Sequence, residues 1–164
     1  MTDDERRLFL SRKNAGRDKI DHLNARLEDL GLEGLSDCLL KLEFSDPIRQ
    51  EAFNLCSDCM ARGEHKRVLW DSKEALDIAT QKEAARLDDS LATAFLLESE
   101  YTGALQSSMA DLLSNALLLV SVYDEGVYLF DNTLTSWLIV DVDVDHSPCH
   151  YETISWGKKW QHLA

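Results

Sequence analysis

The hydrophobic pattern changes its period about two-thirds of the way along the chain. Up to about residue 115, apolar side chains recur at intervals of three and four residues, which is typical of amphipathic helices. From Ala116 onward, short β-rich runs alternate in polarity and are separated by turn residues, which is typical of strands. The pattern predicts an α+β fold in one domain, 1–164. A helical part over about 2–115 packs on one face of a small antiparallel β-meander of three to four strands, about 116–164.

Capping residues and glycines divide the helical part. Thr2 is a predicted N-cap, and Gly16 is expected to interrupt or end the first helix. Ser45, Asp46 and Pro47 form a strong helix start. The later predicted helices run over Asp18 to Leu30, Leu35 to Leu42, Pro47 to Arg62, Ser72 to Leu87 with its apolar side continuing to Tyr101, and Leu105 to Asn115.

Two turn signals define the meander. Asp124-Glu125-Gly126 and Asp131-Asn132 separate three predicted strands, 116–123, 127–130 and 136–144. The tail, 151–164, is compatible with a fourth strand or a terminal helix.

The charge distribution is the least ordinary property of this chain. The formal net charge is −13, and the stretch from Leu87 to Gly157 contains twelve Asp and Glu but no Lys or Arg. Direct binding of DNA or RNA by this half is not expected, because phosphate contacts need Lys and Arg. Such a field favours a basic protein partner, through steering and charge complementarity.

Targeting signals are not predicted. The first residues, MTDDERRLFLSRKN, are charged from the third position, unlike a signal peptide, and the longest apolar run is too short to span a bilayer. Four irregularly spaced cysteines favour a reducing compartment, so a cytoplasmic location is expected. No nucleotide-binding or hydrolase motif is present, and no cofactor is predicted.

Cys56 and Cys59 form a C-x-x-C pair, with His65 six residues later. Both cysteines fall on the apolar stripe of a predicted helix, which favours core packing. A metal site using Cys56, Cys59 and His65, and a redox pair, are the weaker alternatives, because zinc sites usually draw two such pairs from turns.

The run Asp141-Val142-Asp143-Val144-Asp145-His146 carries the sharpest candidate chemistry. On a strand, Val140, Val142 and Val144 would face the core, and the three aspartates would form a ladder on the other face. This ladder could be a solvated surface, an acidic binding face, or a catalytic metal site completed by His146, Glu152 or Asp131. The along-strand spacing of about 6.6 to 6.8 Å is wide for a single metal ion.

The predicted partner-binding face is acidic, and two tryptophans are possible interface aromatics. Trp156 and Trp160 lie four residues apart beside two lysines, and interfaces often use tryptophan in this way, although core packing is their default. The predicted carboxylates of the face are Asp124, Glu125, Asp131, Asp141, Asp143, Asp145 and Glu152.

Four functional hypotheses follow from these observations. The first is a small acidic interaction protein that binds and inhibits a basic, nucleic-acid-handling protein. In charge character alone it resembles the DNA-mimicking inhibitors that phages and plasmids direct against restriction or CRISPR defence. The second is an immunity protein that neutralises a basic nuclease toxin. The others are a metal-dependent enzyme using Asp141, Asp143 and Asp145, and an accessory subunit whose sheet docks on a partner.

Overall fold

The computed structural model describes residues 1–145, 147 and 149–163. Its helices and strands are, in chain order, α1 (Asp3–Asp29), α2 (Glu33–Ser36), α3 (Leu42–Ala61), β1 (Lys66–Trp70), α4 (Lys73–Arg86), β2 (Leu91–Phe95), α5 (Ser99–Thr102), β3 (Leu105–Ser108), α6 (Met109–Ser114), α7 (Ala116–Tyr123), β4 (Val127–Asp131), β5 (Trp137–Asp143) and β6 (His150–Trp156). The fold is α+β, as the sequence predicted.

The sheet is larger than predicted. It has six strands in the order β1-β6-β5-β4-β2-β3, and every neighbouring pair is antiparallel. The C-terminal meander is present as β4, β5 and β6, so the tail supplies a strand over His150–Trp156. The prediction of three to four strands was too low because β1, β2 and β3 come from the part of the chain that was assigned to helices.

Several local predictions were wrong. Helix α3 begins at Leu42, so Pro47 lies inside it and not at its start, and the predicted helix from Leu105 to Asn115 begins with strand β3. The apolar run Ala116–Tyr123 is helix α7, and the segment Leu91–Phe95, predicted as helix, is strand β2. A continuous apolar run is compatible with a buried helix and with a buried strand, so periodicity alone does not separate the two. Strand β1 was not predicted at all, because its charged first half hides the pattern.

Helix α1 is continuous through the glycine that was expected to break it. Thr2 caps its N-terminus in a capping box with Glu5, as the Thr2 prediction implied. Gly16 is buried, and a Cβ atom there would lie 2.2 Å from the backbone oxygen of Tyr101. The glycine therefore allows α1 to approach the segment that contains α5, at the usual cost of glycine inside a helix.

Helices cover both faces of the sheet, whereas the sequence suggested one. On one face, side chains such as Leu138 and Val140 pack in a core with residues of α1, α4, α6 and α7. On the other face, Trp137 and Ile139 pack against Ala52 and the two buried cysteines of α3. Consecutive residues of β5 point to opposite faces, so both sets are buried along the same strand.

A buried carboxylate fixes the C-terminal tail against α4. Glu83 is fully buried and accepts hydrogen bonds from the backbone N–H groups of Gln161 (3.1 Å) and His162 (2.5 Å). It also forms an ion pair with Arg86, and the guanidinium of Arg86 donates a hydrogen bond to the backbone oxygen of Lys159. These contacts satisfy the charge of Glu83, which would be costly to bury without partners.

Candidate partner-binding surface

Carboxylates from three separate segments meet at one end of the sheet. They come from the turn between α7 and β4, from the end of β5 with the residues after it, and from β6. We call this surface the acidic sheet end, and define it as Asp124, Glu125, Asp141, Asp143, Asp145 and Glu152.

The turn after α7 lies directly against β5. Asp124 ends the helix in the left-handed conformation (φ 54°), which aspartate tolerates better than most residues. A Cβ atom on Gly126 would lie 2.9 Å from Oδ1 of Asp141, so this glycine lets the turn and the Asp141 carboxylate come together. Glu125 and Asp141 line the same small cavity. The carboxylates of Glu125 and Asp141 are thereby placed around one cavity, and Asp124 precedes them in the same turn.

Strand pairing adds the remaining members of the surface. Asp141 is the register partner of Glu152, and Asp143 is the partner of His150, so the side chains of each pair lie on the same face. Like charges directly opposite each other destabilise a sheet. The Asp141–Glu152 pair therefore costs stability unless a positive charge offsets it, and Arg67 of β1 supplies one at 3.5 Å from Glu152.

The predicted register of β5 is confirmed for its central residues. Val140 and Val142 are buried, Asp141 is half-buried and Asp143 is exposed. Val144 is exposed, contrary to the prediction, because β5 ends at Asp143 and the chain turns there. The backbone N–H of Asp145 donates to Oδ1 of Asp143 (3.2 Å) in this turn. The aspartate ladder thus continues around a turn instead of running along one strand.

Basic residues outside the stretch from Leu87 to Gly157 neutralise part of its negative charge. Lys19 of α1 pairs with Glu98 (3.0 Å), and Lys159 approaches Asp131 (3.4 Å). In contrast, no Lys or Arg in the described ranges forms an ion pair with Asp124, Glu125, Asp141 or Asp145. The fold therefore offsets part of the negative charge of this stretch, and these four carboxylates of the acidic sheet end are not among those offset.

Asp131 does not belong to this surface, although the sequence placed it there. It is 2% exposed, and its carboxylate accepts hydrogen bonds within the β4–β5 turn. Oδ1 accepts from the backbone N–H groups of Thr135 (2.7 Å) and Ser136 (2.9 Å), and Oδ2 accepts from the hydroxyls of Thr133 and Thr135. Burial raises the pKa of Asp131, but these hydrogen bonds outweigh it and leave the pKa below its usual value.

The two tryptophans have different environments. Trp160 is 2% exposed, packs in the core, and donates its indole N–H to the backbone oxygen of Trp156 (2.9 Å). It is therefore a core residue and not an interface anchor. Trp156 is half-buried and packs against the core on the α3 face of the sheet.

A cavity of about 220 Å³ adjoins the acidic sheet end, and Arg49, Phe53 and Tyr128 form part of its wall. The guanidinium of Arg49 lies over the ring of Phe53, 5.1 Å from its centroid. The pKa of Tyr128 is raised by burial first, and then by Cys56, Asp141 and Glu125. Sequence reasoning missed Arg49 and Tyr128, because nothing in the sequence signals that they line the same cavity as Asp141.

The core interpretation of the cysteines is confirmed by their burial. Cys56 is 4% exposed and Cys59 is fully buried, both in the α3 core cluster. Burial and the neighbouring Cys59 raise the pKa of the Cys56 thiol to about 11, which opposes thiolate chemistry. His65 is half-buried in the segment before β1.

Metal-ligating side chains do not converge in the described part of the chain. Among residues 1–145, 147 and 149–163, no group of three His, Cys, Asp or Glu has the arrangement needed to hold a metal ion. His146, one of the proposed additional ligands, lies outside the described residues.

Comparisons with known proteins add no further information about this surface. No protein-family model, no curated protein and no solved structure matches the chain. Across the described ranges, none of the helices combines the length and the apolar character that crossing a membrane requires.

Proposed function

We propose that this protein binds a basic, nucleic-acid-handling protein through the acidic sheet end and inhibits it by occupying its nucleic-acid-binding surface. The observation that carries the proposal is the convergence of six carboxylates from three chain segments. Four of them, Asp124, Glu125, Asp141 and Asp145, form no ion pair with a Lys or Arg of the described ranges. Repulsion within such a cluster lowers the stability of the fold, and a partner of opposite charge offsets that repulsion when it binds.

The position of the carboxylates suits binding more than metal chemistry. Asp141 and Asp143 lie on a strand whose opposite face is packed in the core, so the backbone that carries them is held in place. Asp145 lies beyond the strand end, separated from Asp141 by the turn. Rigid placement of several like charges favours fast, electrostatically steered association with a basic groove.

A basic groove for nucleic acid is the partner surface that best complements this charge. Proteins that hold DNA or RNA neutralise phosphates with clustered Lys and Arg, and an acidic surface competes for the same side chains. Both a defence nuclease and a nuclease toxin present such a groove. Affinity capture from the native cell, with identification of the bound proteins, distinguishes the two partners.

The test compares two variants that carry the same change in net charge. In the first, Asp141, Asp143 and Asp145 are all replaced by Asn, which retains the side-chain oxygens that accept the backbone hydrogen bonds of Val142 and Asp145. In the control, the exposed residues Asp18, Asp21 and Asp77 are replaced by Asn. Association rates with the captured partner are then measured over a range of salt concentrations.

We expect the first variant to associate about tenfold more slowly than the wild type, and the control to differ only slightly. The wild-type rate should fall steeply with salt, because the Debye length shrinks from about 10 Å at 0.1 M to about 3 Å at 1 M. Equal rates in both variants, or a rate independent of salt, would show that the acidic sheet end serves solubility and would overturn the proposal.

A further inference from the structure

The two edge strands of the sheet differ in whether another segment of the chain covers them. At the β3 edge, Leu39 forms a bridge with Leu105, and the adjoining backbone closes the edge with two hydrogen bonds. Leu40 N–H donates to Ala104 O (2.8 Å), and Gln106 N–H donates to Cys38 O (2.9 Å). This edge is therefore covered by the segment before α3.

The β1 edge remains open in the described part of the chain. Strand β1 pairs with β6 on one side, over Lys66–Trp70. On its other side, no backbone hydrogen bond joins these five residues to any other described segment. An open edge exposes backbone donors and acceptors that favour pairing with another strand, and natural proteins usually cover or disrupt such edges.

Strand β1 carries several apolar side chains, whereas protected edge strands usually carry charged ones. Leu69 is 71% exposed in the second half of the strand, and Val68 and Trp70 are half-buried. Because residues alternate along a strand, Arg67 and Leu69 share one face, and Lys66, Val68 and Trp70 share the other. Charged residues on an edge strand discourage its pairing with arbitrary strands. Pairing remains favourable in a register in which no like charges lie opposite each other.

We propose that β1 pairs with β1 of a second copy of this chain, antiparallel and centred on Val68, so that two sheets join into one. In this register Val68 lies opposite Val68 of the second copy, Leu69 opposite Arg67, and Trp70 opposite Lys66. Each opposing pair joins an apolar residue to another apolar residue or to the long stem of a basic one, and no like charges lie directly opposite. The strand is thus complementary to itself, which is what a two-fold interface requires.

Charge sets the strength and the salt dependence of this dimer. A five-residue strand pair buries less area than a standard interface. The dimer should therefore be weak, and its fraction should rise with protein concentration. Two chains of net charge −13 repel each other, and salt screens that repulsion. Self-association should therefore strengthen with salt, whereas binding of the basic partner should weaken. The dimer does not depend on the proposed function, and this opposite salt response separates the two proposals.

The experiment is sedimentation equilibrium of the full chain over micromolar to millimolar concentrations, for the wild type, Leu69→Ala, Leu69→Lys and Leu69→Glu. All three variants lose the leucine, so Leu69→Ala measures that loss alone. In the dimer, position 69 opposes Arg67 of the second copy, and the interface contains this pair twice. A glutamate there attracts and a lysine repels, so we expect Leu69→Glu to dimerise about tenfold more tightly than Leu69→Lys.

Fold stability provides the internal control, because Leu69→Lys and Leu69→Glu should rank in the opposite order for stability and for dimer affinity. Leu69 is the register partner of Glu152 within one copy, so a lysine at this position adds an attraction and a glutamate adds a repulsion. Leu69→Lys should therefore melt at the higher temperature and dimerise more weakly. A wild type that stays monomeric at high salt, or equal dimerisation of Leu69→Lys and Leu69→Glu, would overturn the proposal.

Discussion

Carboxylates of the second half of this protein have two contrasting environments. Glu83 and Asp131 are buried, and backbone N–H groups, hydroxyls and basic side chains occupy their oxygens. At the acidic sheet end, Asp124, Glu125 and Asp145 are exposed and have no Lys or Arg partner in the described ranges. The same chemical group therefore holds the fold together in one region and leaves charge available in the other.

This difference shows why counting charges along the sequence overstates the number of carboxylates in the binding face. Asp131 lies in the acidic stretch but contributes to the β4–β5 turn, and Glu98 of the same stretch is paired with Lys19. The predictions below test whether buried and exposed carboxylates differ in stability and binding as their surroundings imply.

The largest effect is expected at Glu83. Replacing it with Gln places an amide NH₂ where a carboxylate oxygen accepts backbone hydrogen bonds from Gln161 and His162, and removes the ion pair with Arg86. We expect a loss of about 3 kcal/mol in the free energy of unfolding, measured by urea denaturation. A loss similar to that of an exposed carboxylate such as Asp77 would contradict the assigned role.

A smaller loss is expected for Asp131→Asn. The amide oxygen still accepts the two backbone hydrogen bonds, but the attraction to Lys159 is lost and one oxygen becomes a donor facing two hydroxyls. We expect a cost of about 1 to 2 kcal/mol at neutral pH in the same measurement.

The pH dependence of stability provides a second test of Asp131. Its pKa is lowered in the folded state, so its contribution is fully present above the unfolded value of about 4 and is lost as the pH falls through the folded pKa. The stability difference between wild type and Asp131→Asn should shrink over that acidic range. A difference that stays constant with pH would show that ionisation of Asp131 does not stabilise the fold.

Gly126→Ala should have a modest effect on stability and a clearer effect on binding. The added Cβ atom meets the flexible end of Asp141 at 2.9 Å, so the carboxylate must move while the backbone need not. We expect a cost of at most about 1 kcal/mol, together with slower association with the basic partner. Unchanged association would show that the position of Asp141 is unimportant for binding.

The smallest effect on stability is expected for the triple Asn variant at positions 141, 143 and 145. Since these side chains lie outside the core, the free energy of unfolding should change by no more than about 0.5 kcal/mol, with a small gain from reduced repulsion. Thermal melting at low and high salt measures this, and the gain should disappear at high salt. A large loss would mean that the acidic sheet end is structural.

The sequence was sufficient for the features that depend on neighbouring residues. The Thr2 cap, the helix after Ser72, the turn after α7 and the inward positions of Val140 and Val142 were all predicted correctly. Each depends on contacts within a few residues or on the two-residue period of a strand, and both are visible in the sequence.

Tertiary structure decided the features that depend on distant partners. Strand β1 exists because it pairs with β6, more than 80 residues later, and small residues at Ala92 and Ala94 form a strand because β3 and β4 flank them. Likewise, the chain alone marked every carboxylate of the acidic stretch as equivalent. Burial and hydrogen bonding assigned Asp131 to the turn, and strand pairing brought Asp141 beside Glu152, because both depend on which segments the fold places in contact.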